Sequence, residues 1–541
     1  MNMLLKKPLA TLLMLAFAAS AAVTTSALAA PEAAAAATAP AAAAAPAFDL
    51  DRDVNLALKT FDVPGIAIAI VKDGKVVATK GFGVRKLGNP APVTGKTLFE
   101  IASNSKAFTA AQLAQLVDEG KLSWDDPVTK HLPSFQMADA YVTHTMTVRD
   151  LLVHRSGLGL GAGDLLWWPT TTFSTDEIID RLRNVKLATS FRNNYAYDNL
   201  LYIVAGKIIA QKAGKTWEEA TREHILAPLG MNGSTTNVEE MLKTADYSAP
   251  HSKINGKAAV VKPMPVQNAV GAVGIQTNAE DIAKWMQVLL NEGKMEDGKQ
   301  LFSAKQVREM WSQQTPMKVS EPKPPLTATK PNFAAYGLGF QLRDYRGRKI
   351  VMHGGALQGF YSRIVMVPEE KLGVAIFTNA ENGPSMSALQ WRILDSYMGV
   401  APTDWIKVYA EMEAEMHKEE MARQGKLTAA RAAASKPSLP LASYNGDYKD
   451  DWYGTVSIKQ EGGKQVMSFT RTPDLSGTLE HFQHDTFIVR WKERNFNADA
   501  YVTFSLNPDG SIDRMKMAPI STETDFSYDF ADLSFTPAKK P

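Results

Sequence analysis

Cysteine is missing from all 541 residues. Its absence excludes disulfides, a thiolate nucleophile and a cysteine-linked lipid anchor, so stability has to come from a buried core, which a chain of this length can supply. An excess of charge of one sign is missing too. The formal net charge is +2 and no basic cluster occurs, which gives no expectation of a nucleic-acid partner. There is no His-Glu-x-x-His helix, and His481-x-x-His484 has no third ligand nearby, so no metal site and no cofactor are expected. The Gly-x-Ser-x-Gly elbow of α/β-hydrolases is also absent.

An apolar run does occur near the start, and it is short. Lys6 and Lys7 precede Leu9 to Val23, and Ala27-Leu-Ala29 follows as a small-residue cleavage site. This pattern reads as a secretory signal over residues 1–30, cut after Ala29 or Ala30, with no stable membrane anchor after cleavage. Residues 31–47, almost entirely Ala and Pro, read as a tether. The expected location is therefore outside the cytoplasm, periplasmic or secreted.

With 45% hydrophobic and 21% charged residues the rest has globular composition. Gly65 to Lys72 and Lys75 to Gly81 are β-rich runs joined by Asp73-Gly74, a hairpin signal. Helical patterns follow from Ser103 to about Leu229, including Thr175 to Asn184 and Leu200 to Ala213. Thr277-Asn-Ala-Glu280 has the form of a capping box before Asp281 to Leu290. Strand-like runs return at Tyr336 to Leu342, Lys349 to His353, Ser362 to Val367 and Gly373 to Thr378, then a helix over Ser385 to Tyr397. Strands at both ends of a helical middle predict one sheet flanked by helices, an α/β (α+β) domain over residues 48–402. Residues 403–440 read as a helix, with Trp405, Tyr409, Met412 and Met416 on one side, followed by a linker from Lys426. Residues 441–541 alternate at period two around turns at Gly462-Gly463 and Asp509-Gly510, which predicts a small all-β barrel with Trp452, Tyr453, Phe482, Phe487 and Trp491 in its core.

The chemistry is concentrated in Ser103-Asn-Ser-Lys106. A serine three residues before a lysine at a helix start places both side chains on one face, where the amine reaches the hydroxyl. Ser320-Glu-Pro-Lys323 repeats the spacing among prolines and reads as an exposed loop. Tyr197-Asp-Asn199 stands before an apolar helix, where a phenol that moves protons and an amide that orients a substrate can face one cleft. His353-Gly-Gly355 ends a strand; glycine lets its backbone approach a ligand, and the next amide, Ala356, can point at an oxyanion. His154, in Leu151-Leu-Val-His-Arg-Ser-Gly-Leu158, reads as structural, below the site. Residues 161–172, with Trp167 and Trp168, and residues 318–331 are the loops expected to shape a pocket.

Ser103-x-x-Lys106, Tyr197-x-Asn199 and His353-x-Gly355, in that order, resemble the β-lactamase-related serine hydrolases. That family comprises class C β-lactamases, D-Ala-D-Ala carboxypeptidases, D-aminopeptidases and family VIII esterases. Asp164-Leu-Leu-Trp-Trp168, Pro228-Leu-Gly-Met231 and Tyr336-Gly-Leu-Gly-Phe340 extend the likeness over Asp49 to Val400, and the tail from Leu441 resembles the lipocalin-like domain that often follows such enzymes. The resemblance implies a β-lactamase/DD-peptidase-like fold with an antiparallel sheet and an all-helical region. It implies acylation of Ser103, with Lys106 and Tyr197 sharing the proton transfers, and an oxyanion hole from the amides of Ser103 and Ala356. Asn199, His353 and Gly355 would bind substrate, a small molecule or short peptide, with Trp167 and Trp168 as aromatic candidates. Class C β-lactamases carry lysine where His353 stands, and histidine is charged only part of the time near neutral pH. That favours esters or D-amino-acid peptides over efficient β-lactam turnover. The competing expectation is a non-catalytic protein that binds peptidoglycan fragments or penicillin in the same cleft.

Overall fold

A computed structural model describes residues 48–432 and 434–538. The expected signal segment and the Ala/Pro tether lie outside the described residues. Among the described residues no helix is long and apolar enough to cross a membrane.

The sequence Gly65–Lys72, GIAIAIVK, shows how the larger sheet is made. Successive side chains of a strand point to opposite faces. Ile66, Ile68 and Ile70 enter one hydrophobic cluster, Ala67, Ala69 and Val71 the other, so both faces are covered and the run is apolar throughout. The chain folds back on itself around this strand. Its hairpin partner Lys75–Lys86 lies on one side, and Leu372–Thr378 pairs antiparallel on the other, Ile66 opposite Thr378. The sheet continues through Phe360–Val367, Arg348–Leu357, Gln341–Tyr345, Ala334–Tyr336 and Thr315–Pro316, with Asn89–Pro92 at the far edge: nine strands in all.

Helices Leu50–Phe61 and Gly383–Tyr397 cover the isoleucine face together with the start of Trp405–Ala429. Helix Ala279–Leu290 and the buried Ser105–Asp118 lie on the alanine face, where small side chains let a helix come close. The residues between, including helix Leu200–Ala213, form the helical part, so the expected class of this region stands.

Several boundaries differ from the sequence expectation, each for a local reason. Helix Ala279–Leu290 is capped by Asn278, whose side chain accepts from Asp281 N, rather than by Thr277; the Thr277 hydroxyl pairs with Ser234 instead. The run 336–342 is broken into two strands, with Gly339 at φ +81 in the turn. Helix Trp405–Ala429 runs on past Lys426. It buries Trp405 and Tyr409, but Met416 is exposed, because the apolar cluster the helix packs on takes in Met412 and not Met416.

Residues 446–537 build an eight-stranded antiparallel sheet, whose first and last strands are brought together by the Met515–Phe535 bridge. It is a nearly closed barrel. Tyr453, Phe487 and Trp491 fill it as expected, with Trp452 buried beside them; Phe482 is only half-buried and lies under the Arg431 guanidinium. The barrel is tied to the helical part. Arg471 reaches Glu177 at 3.0 Å and Thr172 at 2.8 Å, and Arg181 donates to Trp452 O at 2.7 Å.

Candidate active site

Ser103 stands in a 3₁₀ turn, Ala102–Asn104, just ahead of helix Ser105–Asp118. The residue before it, Ala102, has φ +48, a conformation that a side chain disfavours and that surrounding packing must hold. The packing comes from the next polar groups. Asn104 Nδ2 donates to Ser362 Oγ at 2.8 Å, Ser362 donates to Ile101 O at 2.7 Å, and Ser105 Oγ accepts from Ile275 N at 2.9 Å. Strand Phe360–Val367 thereby fixes the turn that presents the serine.

One turn on, Lys106 is fully buried. Its Nζ lies 2.9 Å from Ser103 Oγ, 2.7 Å from Asn199 Oδ1 and 3.3 Å from Ala272 O, with the Tyr197 ring centroid 4.9 Å away. Burial pulls its pKa down to about 7, against the opposing charges of Asp164 and Asp198. Tyr197 is the reverse case: burial holds its phenol well above the ordinary value, partly relieved by a hydrogen bond with Ser103. At neutral pH the site therefore holds an amine near its midpoint and a neutral phenol beside one hydroxyl.

Asn199 is held from behind. Its Nδ2 donates to Asp164 Oδ2 at 2.8 Å, and Asp164 also accepts from Trp167 Nε1 at 2.9 Å and from Ser527 Oγ at 2.9 Å. Burial raises the Asp164 carboxyl to about 7, and these three donors resist the rise. His154 packs beneath, its ring 4.3 Å from that of Tyr197 and its Nδ1 accepting from Asp198 N, which is the structural place expected of it.

The strand Arg348–Leu357 forms the opposite wall. His353 Nε2 is 2.8 Å from the Tyr336 hydroxyl, and Nδ1 is 2.6 Å from Gly354 O. Burial, then the charge on Lys106, pushes its pKa down to about 3, so it is neutral across the physiological range and supplies no cation there. Gly355 is pressed against the turn that carries Ser103: a Cβ there would stand 2.1 Å from Ile101 O. Ala356 is exposed on the cavity side.

These residues surround a cavity of about 560 Å³. It brings together Ser103, Tyr197, Asn199, His353, Gly355 and Ala356, and Trp167 and Trp168 also line it, both buried. Residues 318–331 do not line it. That loop lies elsewhere: Leu326 packs on the isoleucine-face cluster, whereas Ile101 and Ala102, next to Ser103, belong to the cluster on the alanine face. A larger hollow, about 870 Å³, is lined by barrel residues 439–538 alone.

Sequence reasoning missed the wall supplied from far along the chain. Asp525, Phe526 and Ser527 line the cavity beside Ser103. Nothing periodic marks them, and no motif spacing links them to residue 164. Asp164 itself stood out only as part of the Asp164-Leu-Leu-Trp-Trp168 string.

The beta-lactamase family model matches residues 50–397, and a model described as a domain of unknown function (DUF3471) matches residues 430–537. The chain is 30% identical over 492 residues to an unguisins hydrolase, ungD', of Aspergillus campestris, covering 85% of this chain and 88% of the relative. It is 29% identical over 333 residues to penicillin-binding protein 4 of Amycolatopsis lactamdurans, covering 60% of this chain and 83% of the relative. Among solved structures, an octameric penicillin-binding protein homologue from Pyrococcus abyssi superposes with a TM-score of 0.57 at 23% identity, over 90% of this chain and 98% of that one. By the match over residues 50–397 and the likeness across most of its length, the chain belongs to the beta-lactamase family.

Proposed function

We propose that the protein is an exported serine hydrolase that acylates Ser103 and hydrolyses small amide or ester substrates, with carboxylic esters and D-amino-acid peptides ahead of β-lactams. The observation that carries this is the 2.9 Å approach of the Lys106 amine to the Ser103 hydroxyl, inside a site that holds that amine near its midpoint at neutral pH. Neutral Lys106 takes the Ser103 proton as Oγ attacks the substrate carbonyl. The Tyr197 phenol, too weak an acid to ionise here, gives its proton to the leaving group as the Lys106 ammonium returns one to it, so both residues end the step neutral. Amides of Ser103 and Ala356 receive the oxyanion, and the start of helix Ser105–Asp118 adds its positive end. Water then releases the acyl group by the same steps in reverse.

The ranking of substrates rests on His353. A neutral histidine offers no charge to a substrate carboxylate, so recognition falls to shape and to the Asn199 amide. The names of the relatives, an unguisins hydrolase and a penicillin-binding protein, support a hydrolytic or penicillin-binding cleft. Export rests on the Lys6/Lys7 and Leu9 to Val23 pattern.

A substrate panel tests the proposal: p-nitrophenyl esters of short acids, D-amino-acid anilides, acyl-D-Ala-D-Ala and nitrocefin, with Ser103→Ala as control. Turnover of an ester or D-peptide that disappears in Ser103→Ala supports it. A wild-type protein that binds these compounds but neither turns them over nor labels with a serine-directed fluorophosphonate is the non-catalytic binder instead.

A further inference from the structure

We propose that the barrel segment Ser521–Asp529 is a working part of the catalytic site, with Ser527 a positioning residue that holds Asp164 as the anchor orienting Asn199 and Lys106 toward Ser103. This rests on the reading of Ser103 and Lys106 given above. It gives the C-terminal barrel a role in the chemistry of the other domain.

The connection is an unbroken chain of buried hydrogen bonds. Ser527 Oγ donates to Asp164 Oδ2 at 2.9 Å, Asn199 Nδ2 donates to the same oxygen at 2.8 Å, Asn199 Oδ1 faces Lys106 Nζ at 2.7 Å, and Nζ faces Ser103 Oγ at 2.9 Å. Ser527, Asp164, Asn199 and Lys106 are all buried. An amide side chain has one accepting and one donating end. Asp164, as a carboxylate, only accepts, so it takes the NH₂ of Asn199 and leaves the oxygen for Lys106. A neutral Asp164 could donate and let the amide turn over. Ser527 works against that by donating to the carboxylate, and Trp167 does the same at the other oxygen.

The segment is built to stay there. At its start, Glu420 on the helix Trp405–Ala429 accepts from Ser521 Oγ at 3.0 Å and from Thr522 Oγ1 at 2.8 Å. At its end, Asp529 Oδ2 accepts from Gly163 N at 2.7 Å, next to Asp164. Between them Phe526 lies against Gly161, where a Cβ would stand 2.6 Å from its ring. Simple domain packing would require neither the buried hydroxyl on Asp164 nor its alignment with the nucleophile.

The groups that can titrate around this relay come from every element packed on it. Lys106 faces Asp164 and Asp198, with Tyr197, Tyr202 and His353 around it and His154 beneath. Asp164 faces Lys106, and Asp529 lies beyond it.

The test is the second-order rate of fluorophosphonate labelling of Ser103 in the full chain, measured from pH 5 to 9. The forms compared are wild type, Ser527→Ala, Asp164→Asn and the double variant. Loss of the Ser527 donor makes Asp164 neutral more readily, so the Lys106 ammonium loses its counter-charge and gives up its proton at lower pH. The expected result for Ser527→Ala is a plateau rate about tenfold lower and an acid-limb midpoint lower by roughly half a pH unit, the size of losing one hydrogen bond to a charged group. In the Asp164→Asn background, Ser527→Ala should then change neither quantity. An unchanged rate and midpoint in Ser527→Ala, or effects that simply add in the double variant, overturn the role. Should Ser527→Ala not fold, Ser527→Cys, similar in shape and a weaker donor, carries the same expectation. Failure of the wild type to label at all is a different outcome: it removes the serine-hydrolase reading, and this role with it.

Discussion

Phe526 meets the Tyr197 ring edge-on, with 6.0 Å between centroids, so an aromatic group from the barrel forms part of the wall beside the candidate nucleophile. Phe526 is itself 41% exposed, and the exposed part faces the cavity that a substrate would fill. Burial of an aromatic side chain by a ligand is worth on the order of 2 kcal/mol, so removing this one should alter binding more than chemistry. Phe526→Ala is expected to raise KM for short acyl esters about tenfold with kcat nearly unchanged, and to shift preference toward bulkier acyl groups. The check is kcat and KM across a series of p-nitrophenyl esters of increasing chain length. An unaltered chain-length profile would remove Phe526 from the substrate wall.

Lys106 should limit activity from below neutral pH. Its amine has to be uncharged to accept the Ser103 proton, and burial places its midpoint at about 7. Labelling or ester hydrolysis is therefore expected to rise through pH 7. The same burial has a stability consequence whose sign is definite. The unfolded lysine, with an ordinary pKa near 10.5, binds more proton than the folded one between about pH 7 and 10.5. Stability contributed at this site therefore rises with pH over that window. Lys106→Met removes the effect: it should abolish activity and raise the melting temperature at pH 7, with the gain shrinking toward pH 10. A melting temperature that falls equally at both pH values would show that the lysine's hydrogen bonds outweigh its desolvation.

His353 should not contribute to that acid limb. Burial keeps it neutral down to about pH 3, and its two ring nitrogens are occupied by Tyr336 and by Gly354 O. His353→Gln is expected to leave the midpoint near 7 in place while changing the rate. Nitrocefin turnover should be slow in the wild type, since no charged group at this position meets its carboxylate. Fast nitrocefin hydrolysis lost in Ser103→Ala would contradict this account of His353.

What could be read in advance follows from how far apart in sequence the interacting groups lie. Ser103 and Lys106 are one helical turn apart at a helix start, and Tyr197 and Asn199 stand two residues apart just before the helix Leu200–Ala213, so each pair could be read from local spacing together with the helix that follows it. The sheet was legible for a similar reason: its interior strand Gly65–Lys72 is apolar on both faces, and runs such as Gly373 to Thr378 are too short and β-branched to be helices. The hydrogen bond from Ser527 to Asp164 has no local signature, because it depends on how the barrel docks. A lone serine in a turn is the commonest thing in a sequence. Met416 shows the limit from the other side: a helical stripe was present, and the surface that would have covered it was not.

The two glycines after His353 make opposite predictions, and the contrast tests the close fit of strand and nucleophile. A Cβ on Gly354 would find nothing nearer than Ser362 O at 3.9 Å, an ordinary contact. A Cβ on Gly355 would stand 2.1 Å from Ile101 O, 2.4 Å from Ser362 Oγ and 3.1 Å from Ala102 Cβ. Two of those atoms belong to the backbone and side chain that hold Ser103 in place, and Ile101 O already accepts from Ser362. The strand or the turn would have to shift by about an ångström, and displacement of that size in a site whose rate depends on alignment costs about a hundredfold. Gly355→Ala should therefore lose acylation of Ser103 by about two orders of magnitude, while Gly354→Ala stays within a few-fold of wild type. Fluorophosphonate labelling rates, with melting temperatures to confirm folding, decide between them. Equal tolerance at both positions would mean that the turn carrying Ser103 yields to the strand, and that the left-handed Ala102 is not what holds the hydroxyl in position.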